Sequence, residues 1–210
     1  PEDPFNKVTA VSLYLDWTKD LICLALPPNG MSDEEVAEIT KKFDNTFMFS
    51  DEGEMLLTFL DLIEDADILS GWNSEGYDIP YLVNRIKEIL PSEVNEKFCL
   101  WDNLPKVKKY ERYGSEHETY ALVGRVHLDY MQLYRKYTYQ EMHSYALDAI
   151  SEYELGEKKV AYTGTLDQLY NDDFEKFIDY ARQDTMLLAK MDEKLKFIDL
   201  SNEIAHANTV

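Results

Sequence analysis

The stretch Asp67-Ile68-Leu69-Ser70-Gly71-Trp72-Asn73-Ser74-Glu75-Gly76-Tyr77-Asp78-Ile79-Pro80-Tyr81 decides the fold. Asp67 to Trp72 is a short apolar run, the length of a buried strand rather than a helix. A turn-forming cluster follows at Asn73 to Gly76. Asp78-Ile79-Pro80 then reads as a helix start, with Asp as N-cap and Pro in the first turn. Leu82, Ile86 and Ile89 give the helix Ile79 to Leu90 one apolar face. A strand passing directly into a helix is the unit of an α/β sheet, and ligands gather at the carboxyl ends of such strands. Asp78 therefore carries two readings, helix cap and site acid. Asn73 and Tyr77 beside it offer an amide and an aromatic face, suited to a sugar-phosphate and a base.

Upstream, Val8 to Trp17 alternates as a strand, and Leu21 to Leu26 reads as its partner across a Lys19-Asp20 turn. Ser32-Asp33-Glu34-Glu35 is a capping box opening a helix that carries Val36, Ile39 and Phe43. Thr46 to Phe49 reads as a short strand and Glu54 to Ile63 as a helix. Downstream, residues 106–122 are polar and Tyr-rich around Gly114-Ser115, which predicts an exposed β-hairpin inserted in the fold. Globular patterning resumes at Val126 to Tyr137 and Ser144 to Glu152. Strands first, then alternating helices and strands, give an α/β class with a mixed sheet flanked by helices. One domain over residues 1–210 is expected.

From Asn171 onward the sequence predicts one long helix, with an apolar stripe through Phe174, Phe177, Ile178, Ala181, Leu188, Met191 and Leu195. Asp184 falls inside that stripe, and Tyr180 sits one turn earlier on the same face. A carboxylate aimed at a core needs a partner. The pair points to a metal or a proton relay; the alternative is an acid paired with an Arg elsewhere in the core.

Composition narrows the function classes. The 210 residues carry 41 acids against 21 bases, a net charge of -20. An independent DNA binder gains affinity from a basic surface, and this chain has no such surplus. A phosphodiester can still be handled in an acidic site if divalent ions invert the local field. Two cysteines, Cys23 and Cys99, are too few for a disulfide scaffold or a cysteine zinc site, and fit a reducing cytosol. The apolar run Leu21 to Leu26 is far too short to span a membrane. The four histidines (His117, His127, His143, His206) lack metal-ligand spacing. Asp129 reads first as a helix cap or ion-pair partner. Trp17, Trp72 and Trp101 are expected in or beside the core.

Several segments share one family likeness. Gly71-Trp72-Asn73-Ser74-Glu75-Gly76-Tyr77-Asp78-Ile79-Pro80-Tyr81 resembles the second exonuclease motif of family B DNA polymerases, and Tyr180-Ala181-Arg182-Gln183-Asp184 resembles the third. His127-Leu128-Asp129-Tyr130-Met131-Gln132-Leu133-Tyr134, Ser144-Tyr145-Ala146-Leu147-Asp148 and Lys196-Phe197-Ile198-Asp199-Leu200 resemble the same domain in polymerases of T-even-like bacteriophages. The resemblance implies a 3′–5′ proofreading exonuclease on a ribonuclease H-like sheet. It implies Asp78 and Asp184 as ligands of two divalent ions, Mg²⁺ or Mn²⁺, with Tyr180 orienting or helping to deprotonate the attacking water. Two such ions, roughly 3.5–4 Å apart, activate a water and stabilise the leaving oxygen. Asp179 stands where the sister His-type enzymes carry their base, which favours the Tyr type. Asn73 and Tyr77 are implied contacts of the terminal nucleotides. The hairpin matches the family's strand-separating hairpin, with Lys108, Lys109 and Arg112 as DNA contacts, although Glu116 replaces the Arg of phage relatives. The implied partners are a single-stranded primer 3′ end, the palm, fingers and thumb of the same chain, and through them a sliding clamp. The implied location is the cytoplasm of an infected bacterium.

The family's first motif, an Asp-x-Glu pair on the first strand, is not found. Such a pair shares one face of a strand, because side chains alternate. Asp33-x-Glu35 and Asp173-x-Glu175 lie at helix starts, where i and i+2 diverge, and Asp16 has no acid two residues on. The family pair lies just before a Pro-rich link resembling Pro1-Glu2-Asp3-Pro4. The first strand is therefore expected upstream of Pro1, with half of the metal site and little or no activity left in this chain. Two rival readings remain: a stand-alone ribonuclease of the same acidic superfamily, and a non-catalytic domain that braces a polymerase or binds single strands.

Overall fold

The computed structural model describes residues 3–112 and 114–208; Pro1 and Glu2 of the Pro-rich link, and the side chain of Arg112, lie outside the described residues. In chain order the elements are β1 (Ala10–Leu15), β2 (Asp20–Ala25), α1 (Asp33–Lys42), β3 (Thr46–Met48), α2 (Glu52–Leu62), β4 (Ile68–Gly71), α3 (Asp78–Ile89), a 3₁₀ stretch (Ser92–Phe98), β5 (Lys106–Arg112), β6 (Ser115–Ala121), β7 (Val126–Asp129), α4 (Tyr130–Tyr137), α5 (Leu147–Leu155), α6 (Leu166–Asp172), α7 (Phe174–Leu195) and α8 (Phe197–Ala207). They form two compact units: Pro1–Lys7, Leu56–Met142 and Lys196–Val210 make one, and Val8–Met55 with His143–Leu195 the other.

The second unit holds a mixed sheet. β1 and β2 are antiparallel, with Ala10 opposite Ala25 and Leu15 opposite Asp20. Their turn closes at Lys19, whose φ of 62° is left-handed. β2 then runs parallel to β3 through the crossover helix α1, as a parallel pair requires. The capping box at Ser32 forms as expected: the Glu35 amide donates to Ser32 Oγ and the Ser32 amide to the Glu35 carboxylate. Helix α7 packs on β1 and β2. The core gathers Cys23, Ala25, Ile39, Leu169, Phe174, Phe177 and Ile178.

The single long helix expected from Asn171 is divided. Asn171 ends α6. Asp173 leaves helical geometry (φ -147°, ψ 74°), and its carboxylate accepts the Lys176 amide at 3.1 Å, so it starts α7 as a side-chain cap. Lys196, with φ 57°, separates α7 from α8. The apolar stripe from Phe174 to Leu195 coincides with α7 and says nothing about the ends, which are set by the Asp173 cap and by the left-handed backbone at Lys196.

In the first unit β4 and β7 form a parallel pair, Ile68 opposite Val126 and Gly71 opposite Asp129. The antiparallel hairpin β5–β6 is inserted between α3 and β7 as expected, from Lys106 opposite Ala121 to Arg112 opposite Ser115. Trp72, Tyr130, Tyr134 and Phe197 make a contiguous aromatic cluster. Buried Arg125 donates to the carbonyls of Ile63, Glu64 and Ala66, tying down the turn that follows α2. The N-terminal arm is tied to α3: Arg85 donates to the Pro4 carbonyl and Tyr81 to that of Asn6. Trp17 and Trp101 are exposed, against expectation, while Trp72 is half-buried against Tyr130. Both cysteines are free and buried. Among the described residues no helix is long and apolar enough to cross a membrane.

Candidate active site

Tyr180 and Asp184 lie one turn apart on α7, as their spacing predicts. Their partner is a lysine, not the arginine that a structural core pair suggests. Lys159 follows α5, which stops at the left-handed Gly156. Its backbone N–H donates to Asp148 Oδ1 at 2.9 Å. Its ammonium reaches Asp184 Oδ2 at 2.5 Å and the Tyr180 hydroxyl at 3.2 Å. Tyr162 meets the Tyr180 ring edge-on, with centroids 5.3 Å apart. The other oxygen, Asp184 Oδ1, is buried and has no hydrogen-bond partner among the described residues.

The electrostatics follow from this packing. Burial raises the pKa of Asp184, with Lys159 and Tyr180 acting the other way and Asp148 adding to the rise. Burial is also the largest influence on Lys159 and would lower it, but the hydrogen bonds and charges of Asp184 and Tyr180 together hold it above its ordinary value. The two shifts pull in opposite senses for one ion pair. We assign the ionised pair, because a 2.5 Å contact between Nζ and Oδ2 needs opposite charges to be favourable. The Tyr180 phenol is raised by burial and by the Asp184 charge.

Asp78 is placed in the first unit. It is the first residue of α3 and not its cap: Tyr77 holds the N-cap position, with no side-chain cap bond. That removes the helix-cap reading and leaves the carboxylate at the strand-to-helix junction. The residue is exposed, yet protein packed around its carboxyl pushes the pKa up to about 6, its own backbone N–H opposing and the charge of Asp129 adding. Water at the open rim screens this effect, so it is not a large stability term.

The loop before Asp78 is held from β7. Asp129 Oδ1 accepts the Asn73 amide and Oδ2 the Glu75 amide, each at 3.1 Å. Oδ1 also accepts the Met131 amide at 3.0 Å, so Asp129 caps α4 as anticipated while gripping the loop. Burial raises its pKa against these donors. Ser74 Oγ and His127 Nε2 are 2.8 Å apart, and burial lowers the His127 pKa. Tyr77 is exposed and stacks on Tyr81 at 5.6 Å. In the hairpin, Lys108 reaches Glu75 at 2.9 Å, while Lys109 pairs with Glu116 at 2.5 Å and Glu118 at 3.4 Å.

Residues 1–150 match the family described as DNA polymerase family B, exonuclease domain. The chain belongs to that family. It is 35% identical over 194 residues to the DNA-directed DNA polymerase of Escherichia phage RB69, covering 91% of this chain and 21% of the relative. It is 31% identical over 154 residues to that of Enterobacteria phage T4, covering 72% of this chain and 17% of the relative. The DNA polymerase delta catalytic subunit of Glycine max is 29% identical over 174 residues, 77% of this chain and 16% of the relative. The chain thus spans about a fifth of the length of these phage polymerases.

Within this family B exonuclease domain, Tyr180 and Asp184 form one constellation in the second unit, and Asp78, Asn73 and Tyr77 belong to the first. Among the described residues, no three or more His, Cys, Asp or Glu side chains gather into a group that could hold a metal ion. The donor chemistry of Asp78 and Asp184 nevertheless fits a hard divalent cation, since both supply carboxylate oxygens and Asp184 Oδ1 lacks a competing donor. Sequence reasoning missed Lys159. The signal was the demand for a counter-charge at Asp184, but nothing in Gly156-Glu157-Lys158-Lys159 says which lysine turns inward. It also missed the contact of His127, which carries no metal-ligand spacing, with Ser74.

Proposed function

We propose that the chain is the 3′–5′ proofreading exonuclease domain of a phage-type family B replicative polymerase, on a ribonuclease H-like fold. The observation that carries this reading is Asp184: a carboxylate with one buried oxygen open, flanked by the Tyr180 hydroxyl and neutralised by Lys159. Asp78 and Asp184 would hold two divalent ions, Mg²⁺ or Mn²⁺, which when bound lower the pKa of a water and stabilise the leaving 3′-oxygen. Tyr180 orients the attacking water through its hydroxyl. Lys159 keeps the Asp184 charge tolerable in a half-buried setting and offers ammonium protons beside the reacting phosphate.

Asn73 and Tyr77 contact the terminal nucleotides, Tyr77 by its exposed ring. Lys109 and Arg112 carry the hairpin's contacts to DNA, although Lys109 is shared with Glu116 and Glu118. At a net charge of -20, affinity for the strand comes mainly from the rest of the polymerase: palm, fingers and thumb, with a sliding clamp reached through them. The setting is the cytoplasm of an infected bacterium.

The test is Mn²⁺-dependent digestion of a 5′-labelled single-stranded oligonucleotide. The chain is assayed as it stands and within a full-length family B polymerase, each beside Asp184→Ala. Stepwise shortening from the 3′ end by the polymerase form, abolished by Asp184→Ala, with little or none from the chain alone, is expected. No digestion in either form overturns the catalytic reading and leaves a non-catalytic brace.

A further inference from the structure

The loop that delivers Asp78 is gripped from two sides. From β7 come Asp129, which straddles the Asn73 and Glu75 amides, and His127, which holds the Ser74 hydroxyl. Ser74 is only 4% exposed, and it packs so closely on Gly71 that a Cβ there would meet Ser74 Cβ at 2.8 Å. The β7 side is therefore a fixed frame. From the hairpin comes Lys108, whose ammonium lies 2.9 Å from Glu75 Oε1; the lysine side chain is 55% exposed and the glutamate 24%.

The asymmetry of that pair is informative. Glu75 is turned largely inward and needs compensation, and the cation is supplied by β5. Lys108 sits opposite Thr119, which is almost fully buried, so this rung belongs to the anchored part of the hairpin. Lys109, one residue on, points to the other face of the strand and pairs with Glu116 and Glu118 inside the hairpin. The Glu75 and Lys108 charges also act on the His127 imidazole, in opposite senses. Glu75, Lys108, His127 and Ser74 thus form one network across loop, hairpin and β7.

We propose that Lys108 and Glu75 are positioning residues: their ion pair couples the hairpin to the Asp78-bearing loop, and Lys108 acts through Glu75 rather than as a DNA contact. Any displacement of the hairpin that withdraws Lys108 leaves Glu75 uncompensated beside His127 and loosens the loop that sets Asp78. The geometry stands alone; its consequence for catalysis rests on the exonuclease reading.

Charge reversal tests the coupling. Lys108→Glu, Glu75→Lys and the double swap are compared for amide exchange at residues 73 and 75, and for 3′ digestion by a full-length family B polymerase that carries this domain. Each single variant should speed exchange about fivefold and slow digestion by a similar factor, and the double swap should restore both to within about twofold. Lys109→Glu, the same charge change one residue on, should leave exchange at 73 and 75 unchanged. Unmoved exchange in the single variants overturns the proposal. So does digestion that Lys108→Glu impairs and the double swap fails to rescue, because that is the behaviour of a phosphate contact. If exchange is restored by the swap while no form digests DNA, the coupling stands and the exonuclease reading falls.

Discussion

Replacing Asp129 should release the Asp78 loop, and the size of the effect can be worked from three hydrogen bonds. The residue is 6% exposed, and its carboxylate accepts amides from Asn73, Glu75 and Met131 at 3.1, 3.1 and 3.0 Å. Charge-assisted bonds of this kind contribute roughly 1.5–3 kcal/mol each when the ion is otherwise well placed. Here burial holds the Asp129 pKa above its ordinary value, so the cost of desolvating the carboxylate offsets part of that gain. About 1 kcal/mol per bond remains, or about 3 kcal/mol for Asp129→Ala. At about 1.4 kcal/mol per factor of ten, amide exchange at Asn73, Glu75 and Met131 should accelerate about 100-fold. Asp129→Asn keeps one acceptor oxygen but turns an NH₂ toward one of the amides, so about 1–2 kcal/mol is expected. Hydrogen exchange followed by NMR is the assay, since it reports the three amides individually and does not require two units to unfold together. If Asp129→Ala leaves the three amides exchanging within about threefold of wild type, a change of under roughly 1 kcal/mol, the loop is held by something other than Asp129.

Lys159→Met strands Asp184, a partner only a quarter exposed; a thermal melt should show a loss of about 2 kcal/mol, largely recovered in the double variant with Asp184→Asn. No loss in the single variant refutes the ion pair. Asp78 should titrate with a midpoint of about 6 in a carboxyl NMR titration without added metal, and a midpoint near 3.8 would remove the packing argument. The sign follows from the raised value: its contribution to stability is complete below 3.8 and is lost as pH rises through about 6. His127→Val leaves the buried Ser74 hydroxyl unpaired and should cost about 1–3 kcal/mol in urea unfolding, whereas Ser74→Ala with His127→Val should cost less than His127→Val alone. Because burial depresses the His127 pKa, its contribution is present above 6.5 and is lost as pH falls below it; that acid-side loss should vanish in His127→Val.

The elements that were legible are those whose signals are local. The Ser32 capping box, the 106–122 hairpin and the strand before Asn73 all depend on residues within a few positions of one another. The breaks at Asp173 and Lys196 were not legible, because a helical stripe shows which face is apolar and not where the backbone leaves helical geometry. The same distinction separates the two readings of Asp78. Its sequence neighbours suit an N-cap, but Tyr77 takes that position, and only the backbone angles decide between adjacent residues.

Asp184 shows why site chemistry resists a purely sequential reading. Its place in an apolar stripe implied either a ligand or a paired core acid, and in the structure its two oxygens differ. Oδ2 is taken by Lys159, 25 positions away in sequence, while Oδ1 is buried and open. A carboxylate serving structure alone would be expected to have both oxygens satisfied, since an unmade bond to a buried charged group is costly. One solely awaiting a ligand would be expected to have no cation at 2.5 Å. The half-satisfied state keeps the charge in place at tolerable cost, with Lys159 on one oxygen and no hydrogen-bond partner among the described residues on the other. Periodicity can place the acid on its face; which oxygen stays open depends on a lysine that no local pattern predicts.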